Sequence, residues 1–143
     1  MQKHILIADD DFDDMELYME AVFLSNLPIT ITPAGTCDEI FEAVKLTGIP
    51  DLFIIDGSMP FKTLDECISA IRGAAVLDKI PLIVLSGADK IDSLKSYYDA
   101  GVNLYLTKPY SIDETINILS KLCNIDWNNR PVLTAEEFFS KSS

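Results

Sequence analysis

The chain has 143 residues, 48% of them hydrophobic and 24% charged, which is typical of one globular domain and unlike a disordered protein. Its 23 acidic residues outnumber its 11 basic ones, and the resulting formal charge of −12 disfavours direct binding to nucleic acid, whose phosphates it would repel. No apolar run is long enough for a signal-peptide core or a membrane span, so we expect a cytoplasmic protein without membrane association.

The first part of the chain alternates strand and helix patterns. Residues 4–8 are apolar and predict a buried strand that runs into the acids at 9–11. Apolar residues at helical spacing then predict a helix from residue 13 to about 26, and residues 29–32 predict a half-exposed edge strand. A capping-box pattern at 36–39 predicts the start of a second helix, which Gly48 ends.

The second part continues the alternation. Residues 52–55 are apolar throughout and lead into Asp56, which indicates a strand buried on both faces with an acid at its carboxyl end. The further elements are a helix over 63–72, a strand over 81–85 that leads to Ser86, a helix that Asp89 or Asp92 opens and Gly101 ends, a strand over 104–106 that leads to Lys108, and a helix from Ser111 to about Cys123. This order predicts an α/β fold, a doubly wound five-stranded parallel sheet with helices on both faces.

We therefore expect one domain over residues 3–123 and a C-terminal extension over 124–143. Thr134 can cap a short helix in the extension, which either packs on its own domain or serves as a docking or dimerising segment. The three cysteines are widely spaced within apolar patterns, so we expect them to be unpaired core residues in a reducing compartment.

Polar side chains follow four of the predicted strands at the same edge of the sheet. They are Asp9 and Asp10, then Asp56, Ser86 and Lys108. Crowded carboxylates repel one another, and Mg²⁺ relieves that repulsion while keeping ligand positions for phosphate oxygens. One carboxylate can then act as a nucleophile toward phosphorus, with the lysine offsetting negative charge and the serine donating a hydrogen bond. The peptide bond between Lys108 and Pro109 is a candidate for the cis form.

Together these segments resemble the receiver domain of two-component response regulators, the CheY-like superfamily. The segments are residues 5–11, 51–60, 82–87 and 105–109. The resemblance covers residues 3 to about 123 and implies a stand-alone receiver with the flavodoxin-like strand order 2-1-3-4-5. It implies that Asp56 accepts a phosphoryl group from a sensor histidine kinase or phosphotransfer protein. It also implies that Mg²⁺ is held by Asp9, Asp10, Asp56 and the backbone carbonyl of Ser58, and that Ser86 and Tyr105 form a switch pair.

The resemblance has consequences for activity and partners. We expect no enzymatic activity beyond phosphotransfer to the chain itself and autodephosphorylation. Because the sequence predicts no output domain after residue 123, signalling should proceed through contact with a downstream protein, and phosphorylation can favour a homodimer. The expected docking surface is the helix-strand-helix face over residues 89–123, with four tyrosines as anchors: Tyr97, Tyr98, Tyr105 and Tyr110.

Two alternatives remain open on the sequence alone. The acids at 9–11 also resemble the nucleophile motif of haloacid-dehalogenase-type phosphatases, although Asp13 replaces the expected hydroxyl residue and Asp56 would have no role. A receiver-like adaptor that never needs phosphate is the other alternative. The chain departs from the usual receiver pattern at Gly57, which follows the acceptor acid, and at Leu64, where a glycine is usual.

Overall fold

The computed structural model describes residues 2–87, 94–129 and 131–140. Its strands are β1 (Lys3–Ala8), β2 (Ile29–Ala34), β3 (Leu52–Asp56), β4 (Leu82–Ser86) and β5 (Leu104–Thr107). Its helices are α1 (Phe12–Ser25), α2 (Cys37–Thr47), α3 (Leu64–Gly73), α4 (Leu94–Ala100), α5 (Ile112–Asn124) and α6 (Ala135–Ser140), with a 3₁₀ helix over Trp127–Asn129. The predicted opening of α4 at Asp89 or Asp92 lies outside the described residues.

The strands form one parallel sheet in the order β2-β1-β3-β4-β5, which confirms the predicted fold class and strand order. Every residue of β3 and β4 is buried, whereas β2 alternates between buried and exposed positions as an edge strand does. Alternate side chains of each strand enter two separate cores. Ile54 packs with residues of α1, α5 and α6 on one face, and Phe53 packs with residues of α2 and α3 on the other.

Short polar side chains fix the helix starts next to the sheet. The Asp11 carboxylate accepts hydrogen bonds from the first-turn amides of α1. Thr63 and Glu66 cap α3 reciprocally. Thr36 caps α2 as predicted, but the Glu39 carboxylate accepts from the amide of Gly35 rather than completing a capping box. These caps hold α1 and α3 at the edge where the strand-end acids lie.

One sequence-based expectation was wrong, and the structure decides one that the sequence left open. Cys37 and Cys67 are buried as predicted, but the structure joins them in a disulfide and leaves Cys123 as the free cysteine. They lie on different helices, 30 residues apart, so no local pattern reveals that they meet. The peptide bond before Pro109 is trans, like every other described peptide bond.

The C-terminal extension packs on its own domain, which confirms the first of the two interpretations above. The Leu133 amide donates to the Asn103 carbonyl at 2.8 Å, and Leu133 bridges to Leu104 beside the free edge of β5. Phe138 is buried in the same core as β5 and α5, and Thr134 and Glu137 cap α6 reciprocally. None of the helices within the described ranges is long and apolar enough to cross a membrane.

Candidate functional site

The carboxyl ends of the strands bring the predicted acids together. Asp56 is the last residue of β3, and Asp9 and Asp10 directly follow β1. Because β1 and β3 are adjacent and parallel, oxygen atoms of these three acids lie within 4.8 Å of one another. Asp9 and Asp56 are buried, whereas Asp10 is exposed. Oxygen donors in this number and spacing suit a hard divalent cation.

The ammonium group of Lys108 lies among these acids, and no other lysine of the described residues pairs with them. Its Nζ atom lies 3.1 Å from Asp9 Oδ2 and 3.3 Å from Asp56 Oδ2. A third carboxylate, that of Asp14 in the first turn of α1, is closer still at 2.6 Å. Asp14 was not among the site residues predicted from the sequence. The available signal was its place in the first helical turn after the strand-end acids, which puts it at the same edge of the sheet.

Burial and charge shift the protonation equilibria of this cluster. Burial raises the pKa of Asp9 to about 6, and the Asp56 charge adds to the rise, while the Asp11 amide and Lys108 oppose it. Burial disfavours the charged form of Lys108, but the Asp14 hydrogen bond and the Asp9 and Asp56 charges outweigh it and raise the pKa of the ammonium. Ionised Asp9 is therefore held in an environment that favours an added positive charge.

One atom in the cluster lacks a hydrogen bond. Asp9 Oδ2 is fully buried and accepts no hydrogen bond from the described residues, although the Lys108 ammonium is 3.1 Å away. A buried carboxylate oxygen that accepts no hydrogen bond costs free energy, and the one ammonium nearby is shared among three carboxylates, those of Asp9, Asp14 and Asp56. The residues present therefore fit a bound divalent cation, with the Asp9, Asp10 and Asp56 carboxylates as donors.

Ser86 ends β4 beside Asp56, and a glycine makes room for it. A Cβ atom at Gly57 would lie 3.1 Å from both Cβ and Oγ of Ser86, closer than ordinary packing allows. The departure at Gly57 thus has a steric reason in this chain. Gly87 similarly allows the Tyr110 hydroxyl to approach, since a Cβ there would lie 2.7 Å from it.

Asp56 and Lys108 open into a pocket of about 550 Å³. Asp10, Asp14 and Ser58 also line it, with Tyr110 at its rim, but Asp9 does not. The Ser58 amide donates to Asp56 Oδ1 at 3.2 Å, which holds one carboxylate oxygen in place. The volume is sufficient for a phosphoryl group approaching Asp56 from solvent.

The predicted tyrosine anchors are mostly engaged within the chain. The rings of Tyr97 and Tyr105 stack with their centroids 5.5 Å apart, and Tyr105 is buried. The Tyr98 hydroxyl accepts a hydrogen bond from the Tyr105 amide and donates one to the Leu133 carbonyl. Tyr110 alone among the four is largely exposed, at 70%. The C-terminal extension therefore covers part of the predicted docking surface.

Comparison with known proteins places these features in one family. The family model described as the response regulator receiver domain matches residues 5–120. The transcriptional regulatory protein KdpE of Staphylococcus aureus is 33% identical over 114 residues, covering 80% of this chain and 47% of that protein. The chain thus spans about half the length of the curated relatives it matches, 48% for the response regulator MprA of Mycobacterium tuberculosis.

Solved structures agree with the fold. The phosphorylated cyanobacterial phytochrome response regulator RcpA is 26% identical, with a TM-score of 0.74 over 85% of this chain and 91% of that one. The Mn²⁺-bound form of the response regulator Rcp1 is 23% identical, with a TM-score of 0.75 over 87% of this chain and 96% of that one. At 23% identity, the second comparison supports the fold alone.

Proposed function

The chain belongs to the response regulator receiver domain family of two-component systems, and from this premise we propose that Asp56 is its phosphoryl acceptor. The observation that carries the proposal is the position of the Asp56 carboxylate. It ends a buried strand, lines the pocket, and lies 3.3 Å from the Lys108 ammonium and beside two further acids. This arrangement suits transfer of a phosphoryl group to a carboxylate.

The proposed donor is the phosphohistidine of a sensor histidine kinase or a phosphotransfer protein. An Asp56 oxygen attacks phosphorus while the bond between phosphorus and the histidine nitrogen breaks. The electron pair of that bond stays on the imidazole, and Asp56 becomes an acyl phosphate. The Lys108 ammonium, 3.3 Å from Asp56, would offset charge on the phosphoryl oxygens, and Ser86, which ends the neighbouring strand β4, would donate a hydrogen bond to one of them.

We propose Mg²⁺ as the cofactor. Asp9, Asp10 and Asp56, together with the backbone carbonyl of Ser58, would hold it, and the three clustered carboxylates, which have one ammonium among them, support this assignment. When bound, Mg²⁺ supplies positive charge that balances the phosphoryl oxygens and the clustered carboxylates. In this proposal the chain catalyses transfer of the phosphoryl group from the donor to its own Asp56 and later its own dephosphorylation, and it acts on no separate substrate.

The proposed output is a change in protein contacts, through a downstream partner or a second copy. Ser86 at the end of β4 and Tyr105 on β5 are the proposed switch pair, with the Tyr105 ring buried against Tyr97 in this structure. The Tyr98 hydroxyl joins the Tyr105 amide to the C-terminal extension. A rearrangement at Tyr105 would therefore reach the part of the surface that the extension covers.

The test is to locate the acyl phosphate. The chain is incubated with acetyl phosphate and Mg²⁺, and intact mass before and after hydroxylamine treatment reports the acyl phosphate. We expect one phosphoryl group on the wild-type chain and none on Asp56→Asn, with Asp10→Asn as a variant that keeps the acceptor but loses a proposed cation ligand. A label that survives Asp56→Asn and disappears in Asp9→Asn would favour the phosphatase-like alternative and overturn the proposal.

A second arm addresses the adaptor alternative. The wild-type chain is used with and without acetyl phosphate to capture partners from an extract of its source cells, alongside Asp56→Asn. Capture that depends on both acetyl phosphate and Asp56 supports the signalling role. Identical capture in every condition would identify a phosphorylation-independent adaptor.

A further inference from the structure

The Lys108 ammonium has three carboxylate partners, and the closest does not belong to the cation cluster. Asp14 lies at 2.6 Å, against 3.1 Å for Asp9 and 3.3 Å for Asp56. The Asp14 side chain is 19% exposed and lines the same pocket as Asp56. It stands on α1, a different element from the strands that supply the other two acids.

This difference matters once a cation is bound. A divalent cation held by Asp9, Asp10 and Asp56 competes with Lys108 for oxygens of Asp9 and Asp56, because both bind the same carboxylates. Asp14 is not one of the clustered donors, so its bond to Lys108 does not need to break. An ammonium group has three N–H donors and can keep one on Asp14 while another turns toward the phosphoryl group.

Resting on the function proposed above, we propose that Asp14 is a positioning residue for phosphotransfer. It draws the Lys108 ammonium away from the acids of the cation cluster, so that Mg²⁺ can bind them, and it shares that ammonium with the phosphoryl group. Asp14 touches neither the phosphoryl group nor the cation in this assignment, and acts through Lys108.

The proposal predicts opposite effects on two kinds of ligand. Without the Asp14 charge, Lys108 is left to Asp9 and Asp56 alone and competes more strongly with Mg²⁺, so Mg²⁺ binds less tightly. An anionic phosphodonor, in contrast, meets one negative charge fewer and a lysine with one more free N–H group, so it binds more tightly at saturating Mg²⁺. General damage to the site would weaken both.

The test uses Asp14→Asn, with Asp13→Asn as the matched control. Asp13 is the preceding acid in the same helical turn, is exposed, and also lines the pocket, so its loss removes the same charge from the helix start. Calorimetry gives the Mg²⁺ dissociation constant. The rate of phosphorylation against acetyl phosphate concentration, at saturating Mg²⁺, gives the half-saturating donor concentration.

For Asp14→Asn we expect a Mg²⁺ dissociation constant about five-fold higher and a half-saturating donor concentration about five-fold lower, the size of effect expected for one partly exposed charge. Asp14→Glu should restore both values toward wild type, and Asp13→Asn should change each less than about two-fold. If thermal unfolding shows that Asp14→Asn is not folded, Asp14→Ser takes its place.

Several outcomes would overturn the proposal. Two of these are weaker binding of both ligands and no change in either. The third is an equal split in Asp13→Asn, with Mg²⁺ bound less tightly and the donor more tightly, which would show that any negative charge at the helix start has this effect. The Mg²⁺ measurement does not depend on phosphotransfer. A wild-type chain that binds Mg²⁺ but never gains a phosphoryl group would refute the proposed function, whereas a labelled wild type without the split would refute only the role of Asp14.

Discussion

Two partly buried cations, Arg72 and Lys108, each form a cluster with their acceptors at opposite ends of the sheet, and the two clusters differ in the chemistry of those acceptors. At the amino ends of β4 and β5, the acceptors of the Arg72 guanidinium among the described residues are neutral oxygens. The guanidinium donates to the backbone carbonyls of Gly101, Leu77, Asp78 and Ile80 and to the side-chain oxygen of Asn103, at 2.8–3.2 Å. At the carboxyl ends, the partners of the Lys108 ammonium within the described ranges are carboxylates, those of Asp9, Asp14 and Asp56.

The neutral acceptors around Arg72 are tied to the backbone. The Asn103 oxygen accepts from Arg72 and from the Leu82 amide, and its nitrogen donates to the Pro131 carbonyl within the C-terminal extension. The planar guanidinium thus joins the end of α3 to the loops before β4 and β5. Because its partners are backbone carbonyls and an amide oxygen that itself bonds to the backbone, we interpret this cluster as structural.

The carboxylates around Lys108 are exchangeable partners. A divalent cation or a phosphoryl group can take over one side of each of these ion pairs, and a point charge on a flexible stem can follow such an exchange. The comparison suggests a general distinction. A cation among backbone carbonyls holds a fold together, whereas a cation among more carboxylates than it can neutralise leaves a site ready to bind further positive charge.

The largest effect should come from removing the exchangeable cation. We expect Lys108→Met to slow phosphorylation by acetyl phosphate by about 10²–10³-fold, the usual loss when one charge-stabilising donor is removed from an active site. Stability in the presence of Mg²⁺ should change little, because Mg²⁺ still neutralises the acids. The phosphorylation rate and the thermal unfolding temperature, measured on the same preparation, check the expected loss of rate and the expected unchanged stability.

Lys95→Met is the matched control for Lys108→Met. Lys95 pairs with Asp99 at 3.0 Å on the exposed surface of α4, so its loss should alter neither rate nor stability by a measurable amount. A Lys108→Met chain that reacts at the wild-type rate would remove the distinction between the two clusters.

The next effect is on stability and concerns the other cluster. Arg72→Met keeps the length of the side chain but removes every donor, so we expect the free energy of unfolding to fall by about 3 kcal/mol as carbonyl groups lose their partners. Chemical denaturation with Mg²⁺ present measures it. Well below the unfolding temperature, phosphorylation should proceed at a rate near that of wild type.

Arg72→Lys sharpens this prediction. It keeps the charge but loses the planar set of donors, so it should recover only part of the stability. If it recovered all of it, charge rather than the hydrogen-bond geometry would explain the cluster. A loss of phosphorylation in Arg72→Met equal to that in Lys108→Met would show that the two clusters are not functionally separate.

Much of the site was predictable because it depends on strand ends. Apolar runs fix where β1, β3 and β4 lie, and parallel strands share one edge for their carboxyl ends, so Asp9, Asp56 and Ser86 had to meet. The sheet order required the family resemblance, since alternation alone does not order strands.

Features that depend on contacts between segments distant in the sequence were not predictable in the same way. The Cys37–Cys67 disulfide and the Arg72 cluster join segments about 30 residues apart, and no local spacing encodes them. Asp14 was missed because a first-turn acid has an ordinary role in stabilising a helix start. The sequence predicts the helix that Thr134 caps in the C-terminal extension. The position of the extension beside β5 was not predictable, because it depends on the burial of Leu133 and Phe138 against the rest of the fold.

The smallest expected effect concerns the contact between Gly57 and Ser86. Gly57→Ala places a methyl group 3.1 Å from Cβ and Oγ of Ser86, and we expect it to lower the free energy of unfolding by about 1 kcal/mol. The same displacement of Ser86 should slow phosphorylation about three- to ten-fold, the scale of one neutral hydrogen bond. Gly73→Ala is the control, because a Cβ there meets nothing within 4 Å and should leave the rate unchanged.

A double variant, Gly57→Ala with Ser86→Ala, separates steric from backbone effects. If displacement of the Ser86 hydroxyl is responsible, the double variant should be phosphorylated no more slowly than Ser86→Ala alone. Additive losses of rate would instead indicate that Gly57 acts through the neighbouring Asp56 backbone.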